Sequence, residues 1–235
     1  KWFLKLSEKI AVKFADELIT DNKVIKDYVI KEYSVNSHLI AYGSDHVTKE
    51  SIDNNLIEKY PAIKKDYSFK VCRIEPENNI HIILDAFSMV SDKNIIIVGN
   101  WKNSEYGKKL RKKYLSFANI FLLDPIYNQK VLNQLRSNCN IYIHGHSAGG
   151  TNPSLVEAMQ LKLPIIAYGV QYNKETTDNK AYYFNNSNDL VSVLKSVNQN
   201  ELKIIAKDMN AIAEARYSWK FISKEYSTLF MHNKN

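Results

Sequence analysis

From Tyr67 onward, short apolar runs alternate with amphipathic segments, and this alternation constrains the fold more than any other feature of the chain. Short apolar runs bounded by turn-forming residues are typical of buried strands, whereas apolar residues three or four apart favour helices. Strands that alternate with helices indicate a parallel sheet covered on both faces. We therefore predict an α/β chain with a Rossmann-like, doubly wound parallel sheet. The predicted strands are Phe69–Arg73, Ile95–Val98, Ile120–Leu123, Ile141–His144, Pro164–Ala167 and Tyr182–Phe184, and the predicted helices among them are Ile80–Val90, Ser104–Phe117, Asn128–Ser137 and Pro153–Leu161.

The start of the chain carries an amphipathic pattern. Apolar side chains recur every four residues at Trp2, Leu6, Ile10 and Phe14, and they predict a helix from Lys1 to about Thr20. Lysines at the same spacing form a cationic stripe beside the apolar one. Two interpretations follow: a helix packed on the protein surface, or a helix in peripheral contact with an anionic membrane.

A βαβ pattern comes next, with strands at Glu17–Asp21 and Leu39–Tyr42 around a helix at Asn22–Tyr33. The polar, weakly periodic stretch Ser44–Asp66 is interpreted as a link. We therefore predict a first unit over residues 1–45, a linker over 46–66, a main domain over 67–217 and a terminal segment over 218–235.

Composition narrows the class of protein. Hydrophobic residues make up 45% and charged residues 24% of the 235 residues, which is normal for a globular chain. The longest apolar runs are strand-sized, well short of the roughly 20 residues of a membrane-spanning helix. Two cysteines give no disulfide framework or metal-binding spacing, which favours a reducing cytoplasm. The first residue is Lys1 and no secretion signal follows it, so we expect the chain to be part of a longer protein.

The net charge of +7 favours anionic partners. Apart from the run Lys108–Lys113, the basic residues are dispersed along the chain, and that run lies on a predicted helix where a solvated face is the simpler interpretation. We therefore expect phosphorylated small molecules rather than nucleic acid.

Ligands of open parallel sheets bind beyond the carboxyl ends of the strands, so the loops at that edge are the candidate site. Arg73 ends the first strand of the main domain, where its guanidinium could bind phosphate oxygens or pair with a nearby glutamate. Gly99 and Asn100 follow the next strand, where a glycine permits either the close approach of a ligand or an ordinary tight turn.

The loop from His144 to Met159 is the strongest signal, because it holds three of the seven glycines and runs into a helix. Asn152 and Pro153 are a good N-cap and first helical residue. A glycine turn at a helix N-terminus offers free N–H groups to an anion. Glu157 lies one turn into this helix, within reach of a ligand hydroxyl. His144 and His146 lack a third ligand, so we predict no metal site.

These segments resemble the retaining glycosyltransferases of the GT-B fold, in the family 4 type that includes sucrose synthase and sucrose-phosphate synthase. The resemblance is closest to the rhamnosyltransferase-like branch of bacterial surface polysaccharide synthesis. It rests on four segments that occur in the expected order: Cys72–Phe87, Val98–Trp101, Asp124–Tyr127 and His144–Met159.

The resemblance implies roles for particular residues. Residues 1–45 resemble the end of the acceptor-side domain and 67–217 the nucleotide-sugar domain, and the last helix, Ser218–Phe230, resembles the one that crosses back. Arg73 matches the arginine that holds the donor diphosphate, but the family's lysine falls on Asn78. Glu157 matches the glutamate that binds the ribose, whereas the family's other glutamate falls on Gly149. The implied donor-binding residues are Arg73, Asn78, Gly99, Asn100, Tyr127, His146, Gly149, Gly150, Thr151, Asn152 and Glu157.

The resemblance thus implies transfer of a sugar, with rhamnose favoured, from a nucleotide-sugar donor to a lipid-linked or glycan acceptor, with retention and without metal or another cofactor. The catalytic histidine of the family would precede Lys1, so we expect this chain to bind donor nucleotides without turnover. We expect a cytoplasmic protein, at most peripheral at the inner face of the membrane. Two alternatives stay open: a nucleotide-sugar epimerase of the same fold and a non-catalytic nucleic-acid binder.

Overall fold

The computed structural model describes residues 2–232, which begin with a small unit of two helices and two strands. Helix α1 spans Trp2–Phe14, strand β1 Ile19–Thr20, helix α2 Lys23–Tyr33 and strand β2 His38–Leu39. The two strands are parallel, so the predicted βαβ pattern is present with shorter strands. Helix α2 begins where the Asn22 side chain accepts a hydrogen bond from the Val24 N–H.

Helix α1 is shorter than predicted, because it ends at Phe14 and Ile19–Thr20 pair as a strand. None of its residues is buried; the exposed fractions of Trp2, Leu6, Ile10 and Phe14 range from 40% to 77%. The resemblance to a fold whose last helix crosses back predicts that this apolar stripe packs against the last helix, and that prediction is wrong because the stripe is exposed. The last helix packs instead against Ile40, just after β2, through Ile222 and Leu229.

The segment between the two units is more structured than its sequence pattern indicates. It carries helix α3, Asn54–Lys59, and a 3₁₀ turn, Pro61–Lys64. Asp53 caps α3 by accepting the Leu56 N–H. Leu56 and Ile63 are buried in the main core, so this segment packs on the larger unit. A six-residue helix is too short for periodicity to reveal it.

The larger unit is built on one six-stranded sheet in which every strand pair is parallel, in the order β5-β4-β3-β6-β7-β8. This is the doubly wound architecture that the sequence predicts. Its strands are β3 Tyr67–Val71, β4 Asn94–Val98, β5 Ile120–Leu123, β6 Ile141–His144, β7 Ile165–Tyr168 and β8 Tyr182–Phe184. Its helices are α4 Ile80–Ser88, α5 Glu105–Tyr114, α6 Gln129–Ser137, α7 Pro153–Gln160, α8 Gln171–Thr176, α9 Ser187–Ser196 and α10 Gln199–Arg216, and the last helix, α11 Trp219–His232, crosses back to the first unit.

Both faces of this sheet are buried, which explains why its strands read as continuous apolar runs. On one face, Phe69 and Tyr142 lie side by side in the register and pack with Met159 of α7. On the other face, Ile95 and Ile97 of β4 pack in a second core with helices α4, α5 and α9. None of the described helices is long and apolar enough to cross a membrane.

The strand order places the functional loops. From β3 the chain moves outward to β4 and β5, then returns to the other side of β3 to form β6. The loops after β3 and β6 therefore leave neighbouring strands in opposite directions and open a crevice between them.

Candidate functional site

A cavity of about 270 Å³ lies in the crevice beyond the carboxyl ends of β3 and β6. Loops that are about 70 residues apart in the chain meet there, since β3 and β6 are hydrogen-bonded neighbours. Four of the residues that the sequence predicts for the site line this one cavity: Arg73, Asn78, His146 and Asn152.

Arg73 presents its guanidinium at the mouth of the cavity. The side chain is 79% exposed, and its ion pair with Glu77 is long, with 3.8 Å between the nearest nitrogen and oxygen. Exposed ion pairs of this kind contribute little to stability. The predicted alternative, pairing with a nearby glutamate, is therefore present but weak, and the guanidinium can turn toward an anion.

Asn78 ties the two loops together from inside. Its Nδ2 donates to the Arg73 carbonyl at 2.9 Å, which leaves Oδ1 to accept from His146 Nδ1 at 3.1 Å. In neutral His146 the proton therefore sits on Nδ1, and Nε2 carries a free lone pair. Burial, and secondarily the positive charge of Lys70, lowers the pKa of His146, so its ring is neutral at pH 7. Asn78 thus has a structural role where the resembled family has a cation.

Helix α7 points its N-terminus into the same cavity. Asn152 accepts the Ser154 N–H at 3.0 Å and the Ser154 hydroxyl at 2.8 Å, and Pro153 occupies the first helical position. The cap fixes the direction of the helix, whose positive end favours an anion. The positive end of α7 therefore faces the same cavity that Arg73 lines.

The turn before α7 faces the first unit of the chain. Gly149 has φ +76° and open space around it, as a flexible turn requires. Gly150 instead lies against Asp21: a Cβ atom there would be 2.6 Å from the Asp21 Cγ. Thr151 is buried and donates its hydroxyl to the Asp21 carbonyl at 2.6 Å. Burial raises the pKa of the Asp21 carboxyl. Glycine is therefore required at 150 by a contact between the two units, which the sequence does not reveal.

Glu157 does not line the cavity. One of its carboxylate oxygens, Oε2, pairs with Arg136, and the other, Oε1, lies 3.0 Å from Nε2 of His46. The Arg136 side chain is 1% exposed and that of Glu157 is 20% exposed. The buried Arg136 thus holds one oxygen of the carboxylate, and the other, outward oxygen faces the half-exposed His46 ring.

The other predicted residues lie farther along the sheet edge. Gly99 packs against Ile74 and donates its N–H to the Leu123 carbonyl at 3.1 Å. The Asn100 side chain accepts the Lys102 N–H at 3.2 Å. Tyr127 is 87% exposed and lines a separate cavity of about 620 Å³ beyond β5.

The sequence analysis did not predict that two polar residues near the site, Lys70 and His144, are buried. Lys70 is 1% exposed. The sequence signal for its burial is its position inside an apolar strand run. His144 is equally buried, and neither ring nitrogen has a hydrogen-bond partner. Burial, followed by the charge of Lys70, lowers the pKa of His144 well below the usual range. No group of three or more potential metal-ligating His, Cys, Asp or Glu side chains occurs within residues 2–232.

The family can be identified by comparison with known sequences. The model of the family described as "Glycosyl transferases group 1" matches residues 52–218. The chain belongs to this family. Residues 1–45 match a domain of unknown function, DUF1972.

Individual relatives are distant. The O-antigen chain mannosyltransferase RfbU of Salmonella typhimurium is 24% identical over 206 residues, which are 85% of this chain and 56% of RfbU. Among solved structures, Anabaena HepE has a TM-score of 0.79 at 16% identity, covering 97% of this chain and 66% of HepE. Sucrose-phosphate synthase from Thermosynechococcus elongatus has a TM-score of 0.78 at 16% identity, covering 97% of this chain and 60% of the synthase. The chain thus spans about three fifths of the length of these relatives, and the structural likeness shows a GT-B type fold.

Proposed function

We propose that this chain forms the donor-binding part of a retaining transferase that moves a sugar from a nucleotide sugar to a lipid-linked or glycan acceptor. The observation that carries the proposal is the crevice at the β3–β6 switch point. There, an exposed guanidinium, a capped helix N-terminus and a neutral imidazole surround one cavity. These groups suit a diphosphate flanked by a sugar on one side and a nucleoside on the other.

Each group has a distinct task in this proposal. Arg73 neutralises charge on the diphosphate, which is the leaving group of the transfer, and the positive end of the α7 dipole adds to this neutralisation without rearrangement. The Nε2 of His146, which carries the lone pair of the ring, accepts a hydrogen bond from a hydroxyl of the donor sugar. The outward oxygen of Glu157 accepts a ribose hydroxyl. Positioning and charge neutralisation are the large terms in such chemistry.

The biological setting is supported by the relatives and by the resemblance described above. RfbU is named for transfer of mannose to O-antigen chains, and HepE was solved with UDP and glucose. We propose bacterial surface polysaccharide synthesis as the setting and rhamnose as the donor sugar; rhamnose and retention rest on sequence resemblance alone. Cytoplasmic location, at most peripheral on the membrane, belongs to the same proposal.

Calorimetric titration with nucleoside diphosphates tests the donor site. Arg73→Ala removes a charge-assisted contact, and because the side chain is exposed we expect the lower end of the usual range, about 1.5 kcal/mol or roughly tenfold in Kd. Glu157→Gln should weaken binding of nucleoside diphosphates but not of pyrophosphate, because only the former carry a ribose.

Lys203→Ala is the matched control for charge. Lys203 is exposed on α10, whose start lies at the opposite edge of the sheet, beside the beginnings of β3 and β4. The Lys203→Ala variant should bind nucleotides with wild-type affinity. Wild-type affinity in both Arg73→Ala and Glu157→Gln, or no binding of any nucleoside diphosphate, would contradict the proposed function.

We also expect transfer by the full-length enzyme to persist in EDTA. The described cavity offers Arg73 and a helix N-terminus for the diphosphate charge and no cluster of carboxylates that would hold a divalent cation. Activity lost on chelation and restored by Mg²⁺ or Mn²⁺ would show that this expectation is wrong.

A further inference from the structure

The two connections between the units lie side by side, and we call them together the hinge: residues 43–46 and 217–219. Ser44 donates its N–H to the Tyr217 carbonyl at 2.6 Å, and Trp219 donates its N–H to Asp45 Oδ1 at 2.7 Å. The Trp219 ring lies directly over Gly43, where a Cβ would meet it. Because the chain crosses between the units at these two connections, a movement of one unit relative to the other must bend the backbone there.

His46 joins this hinge to the donor domain. Trp219 Nε1 can only donate, and it lies 3.2 Å from Nδ1 of His46. Nδ1 therefore carries the lone pair and Nε2 carries the proton of the neutral ring. Nε2 then donates to Oε1 of Glu157 at 3.0 Å. In this chain of hydrogen bonds, Trp219 donates to His46 and His46 donates to Glu157.

The two oxygens of Glu157 are not equivalent. Oε2 pairs with Arg136, whose guanidinium is also fixed by Asn133 Oδ1 at 2.9 Å and is buried. Oε1 is bonded to His46, whose side chain is 50% exposed. An incoming O–H donor can therefore reach Glu157 most easily at the oxygen that His46 occupies. An imidazole N–H and a ribose O–H make the same kind of bond to a carboxylate.

We propose that His46 holds the ribose position on Glu157 in the absence of nucleotide, and that ribose binding releases it together with its bond to Trp219. This inference rests on the proposed function, because it requires Glu157 to bind a ribose. His46 is then a positioning residue that links occupation of the nucleoside site to the hinge. The diphosphate alone does not reach this contact.

The test combines affinity with tryptophan emission, excited at the red edge of the band where nucleotides do not absorb. The ligands are UDP and GDP, which carry a ribose, and dTDP, which carries a 2′-deoxyribose with its 3′-hydroxyl; inorganic pyrophosphate is the ligand without a sugar. In the wild type, the nucleoside diphosphate that binds should shift the emission of Trp219, and saturating pyrophosphate should not. Trp219→Phe should abolish the shift, since the remaining tryptophans, Trp2 and Trp101, lie outside the hinge.

His46→Ala removes the competing donor. We expect its affinity for the nucleoside diphosphate to rise about two- to fivefold, which corresponds to at most about 1 kcal/mol, because the ribose no longer has to replace a partly exposed hydrogen bond. Its affinity for pyrophosphate should not change, and nucleotide should no longer shift its emission. His46→Gln, which keeps one donor and one acceptor, should restore part of the wild-type response.

The outcomes separate this inference from the function on which it rests. If His46→Ala weakens nucleotide binding or leaves it unchanged, or if pyrophosphate shifts the emission as strongly as the nucleotide, His46 does not hold the ribose position, and the donor site itself stands. If the wild type binds none of the nucleoside diphosphates, both proposals fail. Circular dichroism of each variant confirms that it is folded before titration.

Discussion

Arg136→Met should lower the free energy of unfolding by about 3 kcal/mol, because it removes the buried cation that balances Glu157. The guanidinium is 1% exposed and bonds to both Glu157 and Asn133. Breaking a buried ion pair from one side costs about 3–5 kcal/mol, since the remaining charge is left without a partner. The 20% exposure of Glu157 and its bond to His46 place this case at the lower end of that range. Equilibrium urea unfolding gives the value.

A double mutant separates the lost partner from the lost packing. In Arg136→Met/Glu157→Gln no uncompensated charge remains, so we expect at least half of the lost stability to return, as neutral replacements of buried pairs often do. The guanidinium Nε is buried without a hydrogen-bond partner, so the wild-type arrangement is not optimal for stability alone. Surface substitutions usually change the free energy of unfolding by no more than about 0.5 kcal/mol. If the value for Arg136→Met lies that close to the wild-type value, the Arg136–Glu157 pair is solvated in solution.

Features fixed by neighbouring residues could be predicted from the sequence. The strands of the larger sheet follow from apolar runs bounded by turns, and the α7 N-terminus follows from Asn152 and Pro153. The meeting of Arg73 with the α7 loop follows from one further rule, that parallel strands collect their loops at one edge. The observed strand order brings both to one cavity.

Contacts between distant segments could not be predicted in this way. His46 and Glu157 are separated by 111 positions, and Asp21 and Thr151 by 130. No local pattern distinguishes these residues from ordinary surface polar ones. The stripe on α1 illustrates the same limit: periodicity identifies an apolar face, but the partner of that face depends on the tertiary fold.

The turn before α7 is the second place where a small substitution should have a large effect on stability, because a single added carbon atom at position 150 meets Asp21. Gly150→Ala would place a Cβ 2.6 Å from Cγ and 2.8 Å from Oδ2 of Asp21, and closer still to Oδ1. The backbone of Asp21 is held in place, because its carbonyl accepts the buried Thr151 hydroxyl and the next residue, Asn22, is buried as well. We therefore expect the conflict to strain the contact between the turn and the first unit.

We expect Gly150→Ala to cost about 3 kcal/mol of unfolding free energy, the upper part of the range for overpacking, measured by urea unfolding. Gly149→Ala is the matched control: the neighbouring site has open space, so only the positive φ is penalised, by about 1 kcal/mol. Asp21→Ala/Gly150→Ala removes the obstruction and should recover most of the difference between the two glycine variants. If Gly150→Ala is no less stable than Gly149→Ala, or if Asp21→Ala fails to rescue it, the turn does not dock on Asp21 in solution. The rescue is the sharper criterion, because backbone strain at Gly150 would be unaffected by Asp21, whereas a steric conflict between the two units disappears with its carboxylate.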